Sequence, residues 1–210
     1  HRLTLIRDRL GIKPLYWGEI NGYLVFSSEL KSFHHFKQWK PVLDRSSLAS
    51  YMRHNYIGAP HTIFKGMSKL EAGSILEVCI AGGIKTSRYW SLKEVAQNNI
   101  RTRDTSSKDH LTQIEALISD SVRRRLVSDV PIGSLLSGGI DSSLVTALMA
   151  ENSKTKIKTF SVGFTNRGFN EAPFARKIAN YLDTEHNEIY AGPNDALALV
   201  DALPEMYDEP

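Results

Sequence analysis

From Pro131 onward, short apolar runs alternate with segments of helical period. PIGSLLSG (131–138) reads as a continuously apolar strand and SSLVTALMAE (142–151) as a helix. KIKTFSVGF (156–164) follows as a strand, and EAPFARKIANYLD (171–183) as a helix with Pro173 in its first turn. EHNEIYA (185–191) is a third strand and PNDALALVDALPEMY (193–207) a further helix. Repeated strand–helix units with short connections leave few folds open. Consecutive strands joined through a helix run parallel, so residues 110–210 are expected to form an α/β domain on a parallel sheet. The segment LTQIEALISDSVRRRLV ahead of it has apolar residues at 111, 114, 117, 118, 122 and 126, the period of an amphipathic helix.

The first part of the chain reads differently. RLTLIRD alternates like a strand. GIKPLYWGEINGYLVFSSE holds two apolar runs around Asn21-Gly22, a strong hairpin signal. LDRSSLASYMRHNYI reads as a short helix, and GSILEVCIAGGIKTSRYW as a second hairpin turning on Gly82-Gly83. Residues 96–109 are polar and lack apolar periodicity, which places a linker there. The expected division is therefore 1–95, a linker at 96–109, and 110–210.

The chemistry concentrates at SGGIDSS, residues 137–143, between the first strand and the first helix of the α/β part. In such sheets ligands sit beyond the carboxyl ends of the strands. Two glycines allow a sharp turn and close approach to backbone amides. The helix that follows opens on Asp141-Ser142-Ser143, residues with N-capping chemistry, and its N-terminus favours an anion. Ser137, Ser142 and Ser143 add hydroxyl donors, so a phosphate or pyrophosphate is the natural guest. Asp141 beside that guest points to a bridging divalent cation, Mg²⁺. A Walker A loop is excluded, because no lysine occurs between Lys108 and Lys154. G-x-G-x-x-G and G-x-S-x-G are absent as well. A lone Gly-Gly would be no more than a tight βα turn; the full SGGIDSS at this junction says more.

SGGIDSS resembles the pyrophosphate loop of the ATP-pyrophosphatase family, which cleaves ATP between the α and β phosphates. With its flanks SDVPIGSLLSGGIDSSLVTALM, TFSVGF, NEAPFARKIANYLDTEHNE and PEMYDEP, the chain resembles asparagine synthetase of the glutamine-hydrolysing type. Upstream, RDRLGIKPLYW, FSSELKSF, LEAGSILEV and RYWSL resemble the later part of that family's glutaminase domain. The resemblance implies an ATP-pyrophosphatase fold for the C-terminal part. For the N-terminal part it implies the remainder of an α+β four-layer N-terminal-nucleophile sandwich. It also implies ATP with Mg²⁺, aspartate and glutamine as small-molecule substrates: ATP adenylates the aspartate side chain, and ammonia from glutamine displaces AMP. Carried over by position, Leu136, Val162 and Gly163 border the adenine nucleotide, and Ser137, Gly138, Gly139, Asp141, Ser142 and Ser143 cradle the pyrophosphate. The same resemblance places the nucleophilic cysteine and the glutamine pocket before His1, and a second synthetase signature after Pro210. The chain is thus expected to be an excerpt holding neither complete active site. An amidotransferase acting on another carboxylate, such as a sugar acid, stays open, as does a non-catalytic nucleotide-binding module.

The remaining residues read blandly. With 41% apolar and 23% charged residues the chain is ordinary globular protein. A net charge of +3 predicts no nucleic-acid groove, and no apolar run approaches the length of a membrane span. The basic run Arg123–Arg125 falls at a helix end, where cations complement the dipole. Cys79 reads as a small buried side chain in a strand, His34 and His35 as surface residues, and the three tryptophans as core or interface. His186 reads as a loop or strand-start histidine, with a nucleotide-side role as the alternative. Asp208 and Glu209 are weighed as carboxylates facing the synthetase cleft. A cytoplasmic enzyme without a secretory signal is expected, and a homodimer is one assembly left open.

Overall fold

A computed structural model describes residues 1–79, 83–101, 109–165 and 170–209. Two compact units divide the chain: residues 1–103 together with 201–210, and residues 104–200.

The first unit holds two antiparallel sheets. Strand β1 (Arg2–Ile6) pairs with β5 (Ser74–Cys79), which pairs in turn with β6 (Gly83–Arg88). Strand β2 (Tyr16–Ile20) lies between β3 (Tyr23–Ser27) and β4 (Met67–Lys69). The β2–β3 hairpin turns on Asn21 and Gly22, with φ of 50° and 80°, the left-handed pair that a two-residue turn demands. The second expected hairpin, β5–β6, is present; its turn residue Gly82 lies outside the described residues. A short 3₁₀ helix (Leu30–His35) and helix α1 (Arg45–His54) complete the unit's middle; Asp44 caps α1 through the Ser46 and Ser47 amides. Tyr16, Ile20, Leu30, Phe33, Ile57, Ile63 and Met67 form one core, and Leu5, Leu70 and Leu76 a second.

Two readings need correction here. Helix α2 (Leu92–Arg101) runs through the first part of the segment read as linker, while residues 102–108 lie outside the described residues. Leu92, Ala96 and Ile100 recur every four residues on one face of this helix, a pattern too sparse to stand out among polar neighbours. Cys79 ends β5 opposite Arg2 and is half-buried rather than buried, because the strand has reached the sheet margin. The arginine–aspartate pair of RDRLGIK is structural. Asp8 accepts the amides of Leu10, Ile12 and Lys13, which hold its carboxyl below the usual value, and Arg7 donates to the carbonyls of Gly11, Lys13 and Leu70.

The second unit is the expected parallel sheet. Strands β7 (Gly133–Leu135), β8 (Lys158–Phe164) and β9 (Glu185–Ala191) lie in sequential order, all parallel. Helix α3 (His110–Arg125) packs on α4 (Ile140–Asn152) through Val122, Leu148 and Met149, and Ile157, just ahead of β8, joins the same cluster. Only the C-terminal half of the α3 stripe is covered; Leu111 and Leu117 stay more than two-thirds exposed. Asp120 pairs with Arg123 and Arg124, a solvated charge cluster at the helix end. Helix α5 (Ala172–Tyr181) buries Ala172, Ala175 and Ala179 toward the sheet, with Leu136 beneath them. The last expected helix is broken into α6 (Pro193–Val200) and α7 (Leu203–Met206), since proline in the first turn of α7 cannot donate to a continuing ladder.

Candidate nucleotide site

The loop after β7 is built from both sides. Leu136 is buried, and its amide donates to the Phe160 carbonyl at 2.8 Å, extending the β7–β8 pairing by one step. On the helix side, Thr146 donates to the Ser142 carbonyl at 2.7 Å and accepts from Ser134 of β7 at 2.8 Å. With its proton committed to the carbonyl, the Thr146 hydroxyl can only accept from Ser134. This buried pair fixes the first turn of α4 against the strand.

Gly138 has φ of +83°, the left-handed region, and a Cβ there would come within 2.7 Å of the Ala175 amide and Phe174 Cβ. Helix α5 packs directly on the glycine. Gly139 is the N-cap of α4, with φ of −72°, and a Cβ on it would meet only Ser137 Oγ, at 3.4 Å. So the two glycines do different work: one permits the turn, the other leaves backbone open to a ligand. The expectation that Asp141-Ser142-Ser143 cap the helix is corrected. They lie inside its first turn, and no side chain caps it. The Ser142 and Ser143 hydroxyls instead donate back to the Gly139 carbonyl at 3.2 and 2.7 Å. Ser137 and Ser142 share a hydroxyl bond of 2.9 Å, and the Gly139 amide donates to Ser137 Oγ. The loop is therefore ordered by its own hydroxyls around the exposed helix start, where the first-turn amides lack intrahelical acceptors.

Beside the loop, at the carboxyl ends of β7 and β8, lies a cavity of about 390 Å³. Leu136, Ser137 and Val162 line it together with Ser161, Phe164 and Glu171. Three expected site residues from two separate strands are thus brought to one space. Gly163 is buried behind it, where a Cβ would lie 2.6 Å from the Tyr190 ring. Asp141 is exposed in the first turn of α4. Among the described residues no group of three or more His, Cys, Asp or Glu side chains could hold a metal. A lone carboxylate at an open helix start still fits Mg²⁺ brought in by a phosphate ligand, since that ion takes most of its ligands from phosphates and water.

The face of the sheet under α5 carries polar residues that sequence reading singled out only in part. Thr159 and Ser161 of β8 lie in register with His186 and Glu188 of β9. His186 Nδ1 is 2.9 Å from Thr159 Oγ1, and Nε2 is 3.3 Å from both Ser161 Oγ and Glu188 Oε1. Arg176 of α5 donates to both Glu188 oxygens, at 2.7 and 2.5 Å, and Tyr190 donates to Oε2 at 2.9 Å. The guanidinium holds the Glu188 carboxyl at about 2 and is itself pushed up by the pair. Strand periodicity could have found this row, because Thr159, Ser161, His186 and Glu188 occupy alternating positions on adjacent strands. Asp208 and Glu209, weighed as cleft carboxylates, accept the amides of Leu30 and Ile63 in the first unit.

A family model described as "Asparagine synthase" matches residues 113–210, and one described as "Glutamine amidotransferase domain" matches residues 1–90. The chain is 33% identical over 208 residues to a putative asparagine synthetase [glutamine-hydrolyzing] 2 of Methanocaldococcus jannaschii. It belongs to the glutamine-hydrolysing asparagine synthetase family. That relative is covered over 39% of its length and this chain over 97%. Asparagine synthetase [glutamine-hydrolyzing] 1 of Bacillus subtilis is 33% identical over the whole chain, which covers 32% of it. The chain therefore spans roughly a third of the length of these asparagine synthetases. A solved NH3-dependent NAD synthetase from Campylobacter jejuni, in complex with nitrate, covers 47% of the chain and is itself covered over 42%, at 20% identity and a TM-score of 0.33. That likeness is too distant to bear on ligands. No helix among the described residues is long and apolar enough to cross a membrane.

Proposed function

We propose that this chain carries the nucleotide-binding part of a glutamine-dependent, AMP-forming amide ligase. The observation that carries the proposal is the convergence of Leu136, Ser137 and Val162 on one cavity beside an exposed helix start. The adenosine end of ATP enters the cavity, with the aliphatic side chains of Leu136 and Val162 against it. The phosphates reach the first-turn amides of α4, where backbone dipoles favour negative charge. Asp141 holds Mg²⁺, which screens the phosphates. Charge growing on the departing pyrophosphate is met by fixed donors already in place, and this lowers the barrier to attack by a carboxylate at the α phosphorus. The carboxylate is that of aspartate, and ammonia released from glutamine displaces AMP to leave the side-chain amide. The relatives named asparagine synthetase support this choice of acceptor. The two antiparallel sheets of the first unit belong to the glutaminase sandwich, and the protein works in the cytoplasm.

The complete protein should form AMP from ATP in the presence of glutamine and aspartate, and much less with other carboxylic acids, sugar acids included. AMP release that responds to a sugar acid and not to aspartate would move the acceptor assignment. No nucleotide binding at all would remove the proposal.

A further inference from the structure

Ser161 of β8 is among the residues lining the cavity, and its hydroxyl has one hydrogen-bond partner among the described residues, His186 Nε2 at 3.3 Å. The direction of that bond follows from the neighbours. Glu188 Oε1 lies 3.3 Å from the same nitrogen, and a carboxylate bonded by Arg176 on both oxygens is ionised and only accepts. An ionised carboxylate this close favours a proton on Nε2 over a lone pair there. In the neutral ring Nδ1 accepts from Thr159, 2.9 Å away. With a proton already on Nε2, Ser161 Oγ can only accept from it. The serine's own proton is left for another acceptor, and the side chain, with the residue 7% exposed, reaches little bulk water. A buried donor without an acceptor is costly, which favours a ligand that supplies one.

We propose that Ser161 donates to an acceptor atom on the base or ribose of the nucleotide, and that His186, held by Glu188 and Thr159, is the positioning residue that aims it. The inference rests on the nucleotide reading of the cavity and adds a specificity contact to it. Purine ring nitrogens and ribose oxygens are such acceptors.

The test uses the complete protein with Mg²⁺-ATP, by equilibrium titration and by steady-state kinetics. Ser161→Ala should weaken ATP binding roughly three- to tenfold, the span of one neutral hydrogen bond, with the change falling on KM rather than kcat. His186→Ala should weaken it similarly, and adding Ser161→Ala to it should cost little more, because the serine is then no longer aimed. His186→Gln, whose amide can donate to both Ser161 and Glu188, should restore much of the affinity; it also serves if the alanine variant does not fold. Wild-type binding of ATP with Ser161→Ala binding equally well would overturn this inference and leave the nucleotide site standing. Fully additive losses would overturn the aiming role of His186. Absence of ATP binding in the wild type would overturn both readings.

Discussion

At Gly138 and Gly139 two identical neighbours answer to different physics, and substitution should separate them. Gly138 sits at φ +83° with α5 backbone 2.7 Å from where a Cβ would go. Gly138→Ala should cost about 2 kcal/mol or more in stability, from the left-handed backbone and the clash together, as read by thermal unfolding. Gly139→Val has an ordinary φ and open space, so it should fold well and lose ATP affinity by blocking approach to the α4 amides. Equal losses of stability in the two variants would contradict this division. Asp141 offers a second contrast. It caps nothing, so Asp141→Asn should lower the melting temperature only slightly, through the lost charge at the helix start, while clearly lowering Mg²⁺-ATP turnover at saturating ATP. Sequence alone pointed to an anion site at 137–143, from glycine and hydroxyl residues gathered at a strand–helix junction. It did not show which glycine turns and which yields space, since φ and the approach of α5 depend on packing from residues 30 and more positions away.

The strands and helices of the second unit were largely legible, and the reason is periodicity. Each strand there is short and bounded by turns, and each helix has an apolar face toward the sheet, so pattern and fold agree. Helix α2 was missed because its apolar face is too thin to show, and the break at Asp201–Ala202 because local propensity runs on until Pro204. Polar residues inside the sheet face were harder still. A histidine at the start of a strand gives no sign that Glu188, Arg176 and Tyr190 assemble around it. The assembled pair has a pH signature. Glu188 titrates at about 2, well below its ordinary 4.5, because Arg176 bonds both oxygens. A carboxyl with a lowered folded value stabilises the fold fully above its unfolded value and loses that contribution as pH falls through the folded one. The window is therefore pH 4.5 down to about 2. Carbon-13 titration of the Glu188 carboxyl should find its midpoint in the low range, and Arg176→Met should raise it toward 4.5. A wild-type midpoint near the ordinary value would mean that the pair is not formed in solution.

On the scale of the whole chain, the least legible feature is where the last ten residues go. They belong with the first unit, although the family match that includes them is to the synthetase part. Asp208 accepts the amides of Leu30 and Lys31 at 2.8 and 3.1 Å, and Glu209 accepts the amide of Ile63 at 2.9 Å. Glu209 also pairs with Lys69 at 2.5 Å, both side chains no more than 15% exposed, and Lys69 donates further to the Ile57 carbonyl. Buried Tyr16 feels both carboxylates: its hydroxyl is pushed up to about 12, by burial first and then by Glu209 and Asp208. Partners 140 to 178 positions apart leave no trace in local pattern, so YDEP reads from sequence as a loop with two unassigned acids. Removing one member of a buried pair leaves the other charge unmet, a loss of about 3 kcal/mol or more. Glu209→Ala should thus destabilise the first unit by that amount, since it strands both Lys69 and the Ile63 amide. Glu209→Gln keeps an acceptor for the amide and should cost less. The three tryptophans, Trp17, Trp39 and Trp90, all lie in this unit, so denaturant unfolding followed by tryptophan fluorescence reports on it directly. Salt should change the difference little, because a pair this buried is poorly screened. Replacing both partners, as Lys69→Met with Glu209→Met, removes both stranded charges and should recover much of the loss. If Glu209→Ala shifts the fluorescence midpoint no more than a surface substitution does, the terminal segment is not held to the first unit in the way these bonds require.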